Sequence, residues 1–167
     1  LVHGTIPSKL VNLMTSKNSM RVLSGIQPSG ALHLGNYFGM MSRMVQYQSK
    51  NELFCFIANY HALTTIPVSE TLSQNTFNAA CDFLALGMDP EKSTFWIQSD
   101  VPQVTELMWI LSSLTGVGLM DRATSYKDKI AQGLQPNMGL YSYPVLMAAD
   151  ILLFDTQLVP VGKDQKQ

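Results

Sequence analysis

Apolar residues recur along this chain at two periods that alternate, and the alternation already outlines an architecture. Arg21–Ile26, "RVLSGI", is a short apolar run that reads as a buried strand. From Gly35 the period changes: Tyr37, Phe38, Met41, Met44, Val45 and Gln48 fall three and four apart, which predicts a helix over Gly35–Lys50. Leu53–Ala58 is nearly continuous in apolar character, as expected of a strand covered on both faces. Ser69 is placed to cap a second helix, with Leu72, Thr76, Ala80, Phe83, Leu84 and Gly87 along one stripe and Gly87 and Pro90 ending it. Thr94–Gln98 predicts a third strand, and Val104, Leu107, Met108, Leu111 and Leu114 a third helix. Residues 116–139 are polar and read as a helix followed by a mobile loop. Pro144, suited to a first helical turn, is expected to open an apolar helix running to about Phe154. The closing "LVPVGKDQKQ" reads as a strand leading into a polar loop that opens at Gly162.

Strands alternating with helices at this spacing imply right-handed βαβ units and a parallel sheet. The expected fold class is therefore α/β, a Rossmann-like doubly wound sheet with helices on both faces. Residues 1–20 are set aside as a tail foreign to the fold: the chain begins at Leu1, and Met14 or Met20 is the expected natural start. Residues 21–167 form the domain, which ends inside a motif and is expected to be truncated.

Composition changes this picture little. With 167 residues, 46% hydrophobic and 14% charged, the chain can bury a sizeable core as one domain or a large part of one. Net charge is −1 with no run of five like charges, so a basic nucleic-acid surface is not visible in it. Cys55 and Cys81 read as small buried hydrophobes in a reducing compartment, with neither a CxxC pair nor zinc spacing around them. No stretch reaches the ~18 apolar residues of a membrane span, and the first twenty residues lack a signal peptide's apolar core. Trp96 and Trp109 are expected in the core, and Glu106 and Asp155 in solvent.

Candidate chemistry concentrates where strands should end. "IQPSGALHLGNYFG" sets Pro28, Gly30, His33, Gly35 and Asn36 between the first strand and the first helix. In an open parallel sheet that turn presents a helix N-terminus, whose free N–H groups suit an anion, and glycines let a ligand approach the backbone. The spacing is neither GxxxxGK[ST] nor GxGxxG, and lysine is absent from the turn. The alternative is a structural turn with a capping Asn36 and a partly buried His33. On the later helix Tyr143, Met147 and Asp150 fall at i, i+4 and i+7 and share a face. Asp150 stands among Ala148, Ala149, Ile151, Leu152 and Leu153, where a carboxylate is costly without a donor. That donor would be a substrate N–H or O–H, or else a backbone amide or an arginine. His61, in "NYHALT" at the end of the second strand, is a further pocket candidate.

"HLGN" resembles the H-[IL]-G-[HN] element of class I aminoacyl-tRNA synthetases and related nucleotidylyltransferases. "SGIQPSGALHLGNY", "YPVLMAADILL" and "VPVGKDQKQ", in this order, resemble the tryptophanyl members of that family across nearly all of residues 21–167. Tyrosyl relatives share the Tyr…Asp helix but commonly carry Gln where Met147 stands. The resemblance implies activation of L-tryptophan by ATP with Mg²⁺, and transfer to tRNA(Trp). It implies that Gln27, Pro28, Ser29, His33, Gly35 and Asn36 hold the ATP phosphates, that Gly162, Lys163, Asp164 and Gln165 line the ribose, and that Lys129 reaches the pyrophosphate. Gln27, His33, Asn36 and Lys129 would be the catalytic group. For tryptophan it implies Asp150 at the indole N–H, Met147 against the ring, and Leu23, Gly25, His61, Tyr143, Val159 and Val161 around them. No protein metal site is implied. A homodimer is implied, in the cytoplasm with an organelle as the alternative, together with a KMSKS-type loop and an anticodon-binding domain beyond Gln167. Lys163 departs from the acidic residue usual between Gly162 and Asp164, so its contact would run through the backbone. The readings left open are a tyrosyl relative and a non-catalytic binding fragment.

Overall fold

The computed structural model describes residues 19–30, 33–66, 69–131, 133 and 135–161, with backbone alone at 124, 125, 128 and 129. Three strands, β1 (Arg21–Ile26), β2 (Glu52–Ile57) and β3 (Ser93–Ile97), pair in parallel in the order β1-β2-β3. Between β1 and β2 runs α1, a continuous helix made of Leu34–Asn36, a π-helical stretch Tyr37–Met41, and Ser42–Tyr47. After β2 come the short α2 (Asn59–Ala62) and the long α3 (Ser69–Ala85). A 3₁₀ turn (Gln98–Asp100) follows β3, then α4 (Gln103–Leu114), α5 (Val117–Met120), α6 (Thr124–Ala131) and α7 (Met138–Leu153).

The period-2 geometry of the strands sorts their side chains into two cores. Val22, Ile26, Leu53, Cys55 and Ile57 face Met41 and Met44 of α1 and Ala79 and Phe83 of α3. Leu23, Phe56 and Ala58 face the other way, against Ile151 of α7 and Phe154 just after it. α4 then packs on α7 through Val104, Leu146 and Ala149. Helices cover both faces of a parallel sheet, which is the expected doubly wound arrangement.

Several expectations shift. Asn137 opens α7, its side chain accepting from Leu140 N–H at 2.8 Å, so Pro144 lies inside the helix rather than at its start. The Asn cap satisfies an otherwise orphaned donor, and the proline forgoes one helical bond further along. The fourth strand contracts to a single parallel bridge, Val22 with Leu158, because Pro160 has no N–H to extend the ladder. α1 ends at Tyr47, short of Lys50, and Ser69 is the first residue of α3 rather than its flanking cap. The polar segment after Gly116 forms two short helices, with residues 132 and 134 of its expected loop outside the described set. Cys81 lies exposed on the outer side of α3, Trp109 and Leu114 project from α4 with 76% and 80% exposure, and Leu84 is also exposed. Trp96 is half-buried against Phe56, and Glu106 and Asp155 lie in solvent as expected.

Candidate active site

The carboxyl ends of β1, β2 and β3 carry polar groups that parallel pairing brings to one edge. Beyond β1, Pro28 is fully buried, Ser29 N–H donates to Gln27 O at 2.9 Å, and Gly30 turns the chain at φ +148°, a conformation that favours glycine. Gln27 is half-buried, and its Nε2 is enclosed without a hydrogen-bond partner among the described residues.

His33, not Asn36, caps α1. Its Nδ1 accepts from Gly35 N–H at 3.1 Å while its own N–H donates to Asn36 Oδ1 at 2.9 Å, a reciprocal capping box. His33 is exposed, whereas the alternative of a purely structural turn would have it partly buried. The box fixes what these side chains can still offer. With Nδ1 accepting, the imidazole hydrogen sits on Nε2, and with Oδ1 engaged, Asn36 presents its Nδ2 hydrogens. Two side-chain donors therefore stand at the helix start, where the Gly35, Asn36 and Tyr37 N–H groups already donate to His33. A Cβ at Gly35 would meet His33 Cε1 at 2.8 Å and Nδ1 at 2.9 Å, which is a local reason for glycine here.

A cleft of about 230 Å³ opens between Ser24 and Gly25 of β1, Gly39, Met40, Arg43 and Met44 of α1, and the chain at Pro160 and Val161. Gly25 is closed on its other side by Phe56: a Cβ there would lie 2.6 Å from Phe56 Cζ. Phe56 in turn stacks on Trp96 at 5.3 Å. Leu23 is buried among these aromatics and Ile151, and Val159 is half-buried.

The second cluster is buried and polar. Asp150, 3% exposed, receives His61 Nε2 on Oδ2 at 2.8 Å and Gln98 Nε2 on Oδ1 and Oδ2, both at 2.9 Å. Among the described residues neither a backbone amide nor an arginine meets this carboxylate. Its donors are two side chains from the ends of β2 and β3, and they offset the cost of removing it from water. His61 is itself buried and meets the Tyr143 ring edge-on at 4.6 Å, and its Nδ1 is enclosed without a partner among the described residues. Burial and the neighbouring Asp150 charge hold the Tyr143 phenol above its ordinary pKa, so it remains a hydroxyl at neutral pH. Met147, one turn before Asp150, is 44% exposed.

The structure thus brings His61, Tyr143 and Asp150 together, sets Gly25 and Val161 along one cleft, and unites His33, Gly35 and Asn36 in one cap. Gly162, Lys163, Asp164 and Gln165 lie outside the described residues, and Lys129 is placed by its backbone in α6. Sequence reasoning missed Gln98, reading it as the last residue of a strand that ends at Ile97. The available signal was a polar side chain closing an apolar strand at the ligand-binding end.

A parallel doubly wound sheet with side-chain donors at the helix start after β1 and a buried carboxylate over the strand ends is an open α/β domain with its candidate ligand groups at one edge. The chain belongs to the class I tRNA synthetases of the tryptophan and tyrosine type, whose family model matches residues 15–167. It is 64% identical over 148 residues to a tryptophan–tRNA ligase of Campylobacter jejuni, covering 89% of this chain and 46% of that one. A tryptophan–tRNA ligase of Fusobacterium nucleatum is 60% identical over 147 residues, covering 88% and 45%. A crystal structure of the Campylobacter jejuni tryptophanyl-tRNA synthetase, complexed with ADP and tryptophan, superposes with a TM-score of 0.84 at 64% identity, covering 87% of this chain and 46% of that one. The chain therefore spans about half the length of the relatives it matches.

Proposed function

We propose that this chain supplies the tryptophan- and ATP-binding half of a tryptophan–tRNA ligase. The observation that carries this reading is its 64% identity over 148 residues to such a ligase. The tryptophan carboxylate attacks the α-phosphorus of MgATP; the new C–O–P bond forms as the Pα–O bond to pyrophosphate breaks. The tryptophanyl group then passes to tRNA(Trp).

In this reading Nε2–H of His33 and Nδ2–H of Asn36 donate to the phosphate oxygens as charge builds on them, with the positive end of the α1 dipole behind them. No proton transfer is asked of His33; catalysis is positioning and charge stabilisation. The enclosed Gln27 Nε2 supports a contact to the same phosphates, with Pro28, Ser29 and Gly35 shaping the approach. Lys129 would reach the pyrophosphate, and Gly162, Lys163, Asp164 and Gln165 the ribose. Asp150 accepts the indole N–H, Tyr143 and His61 stand beside it, and Leu23, Gly25, Met147, Val159 and Val161 enclose the ring. The magnesium ion enters with ATP as part of the substrate. We place the protein in the cytoplasm and read it as a homodimer, the dimer supported by the exposed apolar Trp109, Leu114, Val117 and Leu119 of α4 and α5. Among the described residues no helix is long and apolar enough to cross a membrane.

The test is ATP–pyrophosphate exchange by the complete gene product. Tryptophan should drive it faster than tyrosine, and the reverse order would make the protein a tyrosyl enzyme. Asp150→Ala should lower discrimination of tryptophan over phenylalanine by ~10²-fold or more. Unchanged discrimination would remove Asp150 from the pocket.

A further inference from the structure

The carboxylate that reads the substrate is itself held by a residue so far without a role. We propose that Gln98 is the positioning residue that sets the specificity of this site for an aromatic amino acid carrying a ring N–H. The inference rests on Asp150 as the acceptor of that N–H.

Gln98 is 1% exposed, and each end of its amide has one task. Its Oε1 accepts Tyr60 N–H at 3.0 Å, which fixes the amide so that Nε2 must point at Asp150. Nε2 then lies 2.9 Å from both carboxylate oxygens. The support extends to the backbone: Asn59 Nδ2 donates to Ser99 Oγ at 2.8 Å and Ser99 N–H donates to Asn59 Oδ1 at 3.1 Å, lashing the end of β2 to the end of β3. Gln98 is therefore built into a rigid corner, and the carboxylate inherits its orientation.

The count of lone pairs gives this arrangement a direction. Each carboxylate oxygen accepts about two hydrogen bonds. Oδ2 receives both His61 and Gln98, whereas Oδ1 receives Gln98. The substrate donor is thus steered to Oδ1. A side chain in place of Gln98 that cannot donate would free the carboxylate to rotate about its own bond toward His61. The N–H acceptor would then be misplaced, while the apolar walls of the pocket would stay as they were.

The test uses the complete gene product with Gln98→Met and two substrates: tryptophan, and the isosteric amino acid whose indole N–H is replaced by sulfur, 3-benzothienylalanine. For tryptophan, KM in ATP–pyrophosphate exchange should rise about 10-fold or more, with kcat less affected. For the sulfur analogue KM should change less than about 3-fold, and KM for ATP should not move. Preference for tryptophan over the analogue would then collapse. A purely structural role predicts equal losses for both substrates, and that result, or an unchanged preference, overturns the proposal. If Gln98→Met does not fold, Gln98→Asn retracts the amide by one methylene and is scored by the same ratio. If the parent protein shows no tryptophan-dependent exchange, the functional reading has failed. A parent that exchanges, with a variant that keeps its preference, fails this inference alone.

Discussion

Asn36→Asp separates two jobs that one side chain performs. In the capping box Asn36 uses its Oδ1, accepting His33 N–H at 2.9 Å, whereas the proposed phosphate contact uses Nδ2. Aspartate keeps the acceptor and removes the donor. The helix should tolerate it: an acidic residue in the first turn gains about 0.3–1 kcal/mol from the macrodipole, so stability should hold or rise slightly. Adenylate formation should suffer heavily. Losing one donor to a developing oxyanion costs about 10²–10³-fold in kcat, and the introduced charge repels the phosphates as well. Asn36→Ala is the control, because it loses both roles and should cost about 1 kcal/mol of stability in addition. The assays are tryptophan-dependent ATP–pyrophosphate exchange and denaturant melts of the same samples. Tryptophan binding without ATP should be unchanged in both variants. If Asn36→Asp exchanged within about 3-fold of the parent at unchanged stability, Asn36 would be a cap and nothing more.

Three further outcomes follow from the geometry. Asn137→Ala should destabilise the protein by about 1 kcal/mol in a denaturant melt, and Asn137→Ser should recover most of the loss; no change would show that α7 does not depend on its cap. A thiol reagent should modify one cysteine per native chain, the exposed Cys81, and two after unfolding; modification of native Cys55 would contradict its burial. Burial pushes the Cys55 thiol from 9.0 up to about 12, so the folded form holds its proton more tightly than the unfolded chain does. Stability from this group is complete below pH 9.0 and is lost as pH rises toward about 12, by on the order of 4 kcal/mol in all. Cys55→Ala should flatten that alkaline limb, and an identical limb would assign it to other groups.

The three strands and the helices on both faces were legible because the signal is local. Short, mostly apolar runs at Leu23, Leu53 and Phe95, and helical spacing between them, need no knowledge of partners. What the chain cannot announce is which apolar residues find cover: Leu114 continues the stripe of α4 yet projects from it, since α7 meets that helix through Val104, Leu107, Met108 and Leu111, and Trp109 lies off the stripe, on an exposed face. Pro144 misled for a different reason, a true preference for the first helical turn being outweighed here by the Asn137 cap. At the site, His33, Asn36, His61 and Asp150 stood out as polar residues in apolar or glycine-rich company. Gln98 did not, because its role is a contact across 52 positions of sequence that exists only once β3 and α7 are placed. Yet the register makes its position intelligible. Ile26, Ile57 and Ile97 form the last aligned row of the sheet, and the chain turns polar just past it, at Gln27, Asn59 and Gln98. In a parallel sheet every strand ends on the same edge, so three polar residues separated in sequence by entire helices become neighbours at one ligand-facing rim. The topology makes the site, and the residues that serve it are those that follow the final apolar position of each strand.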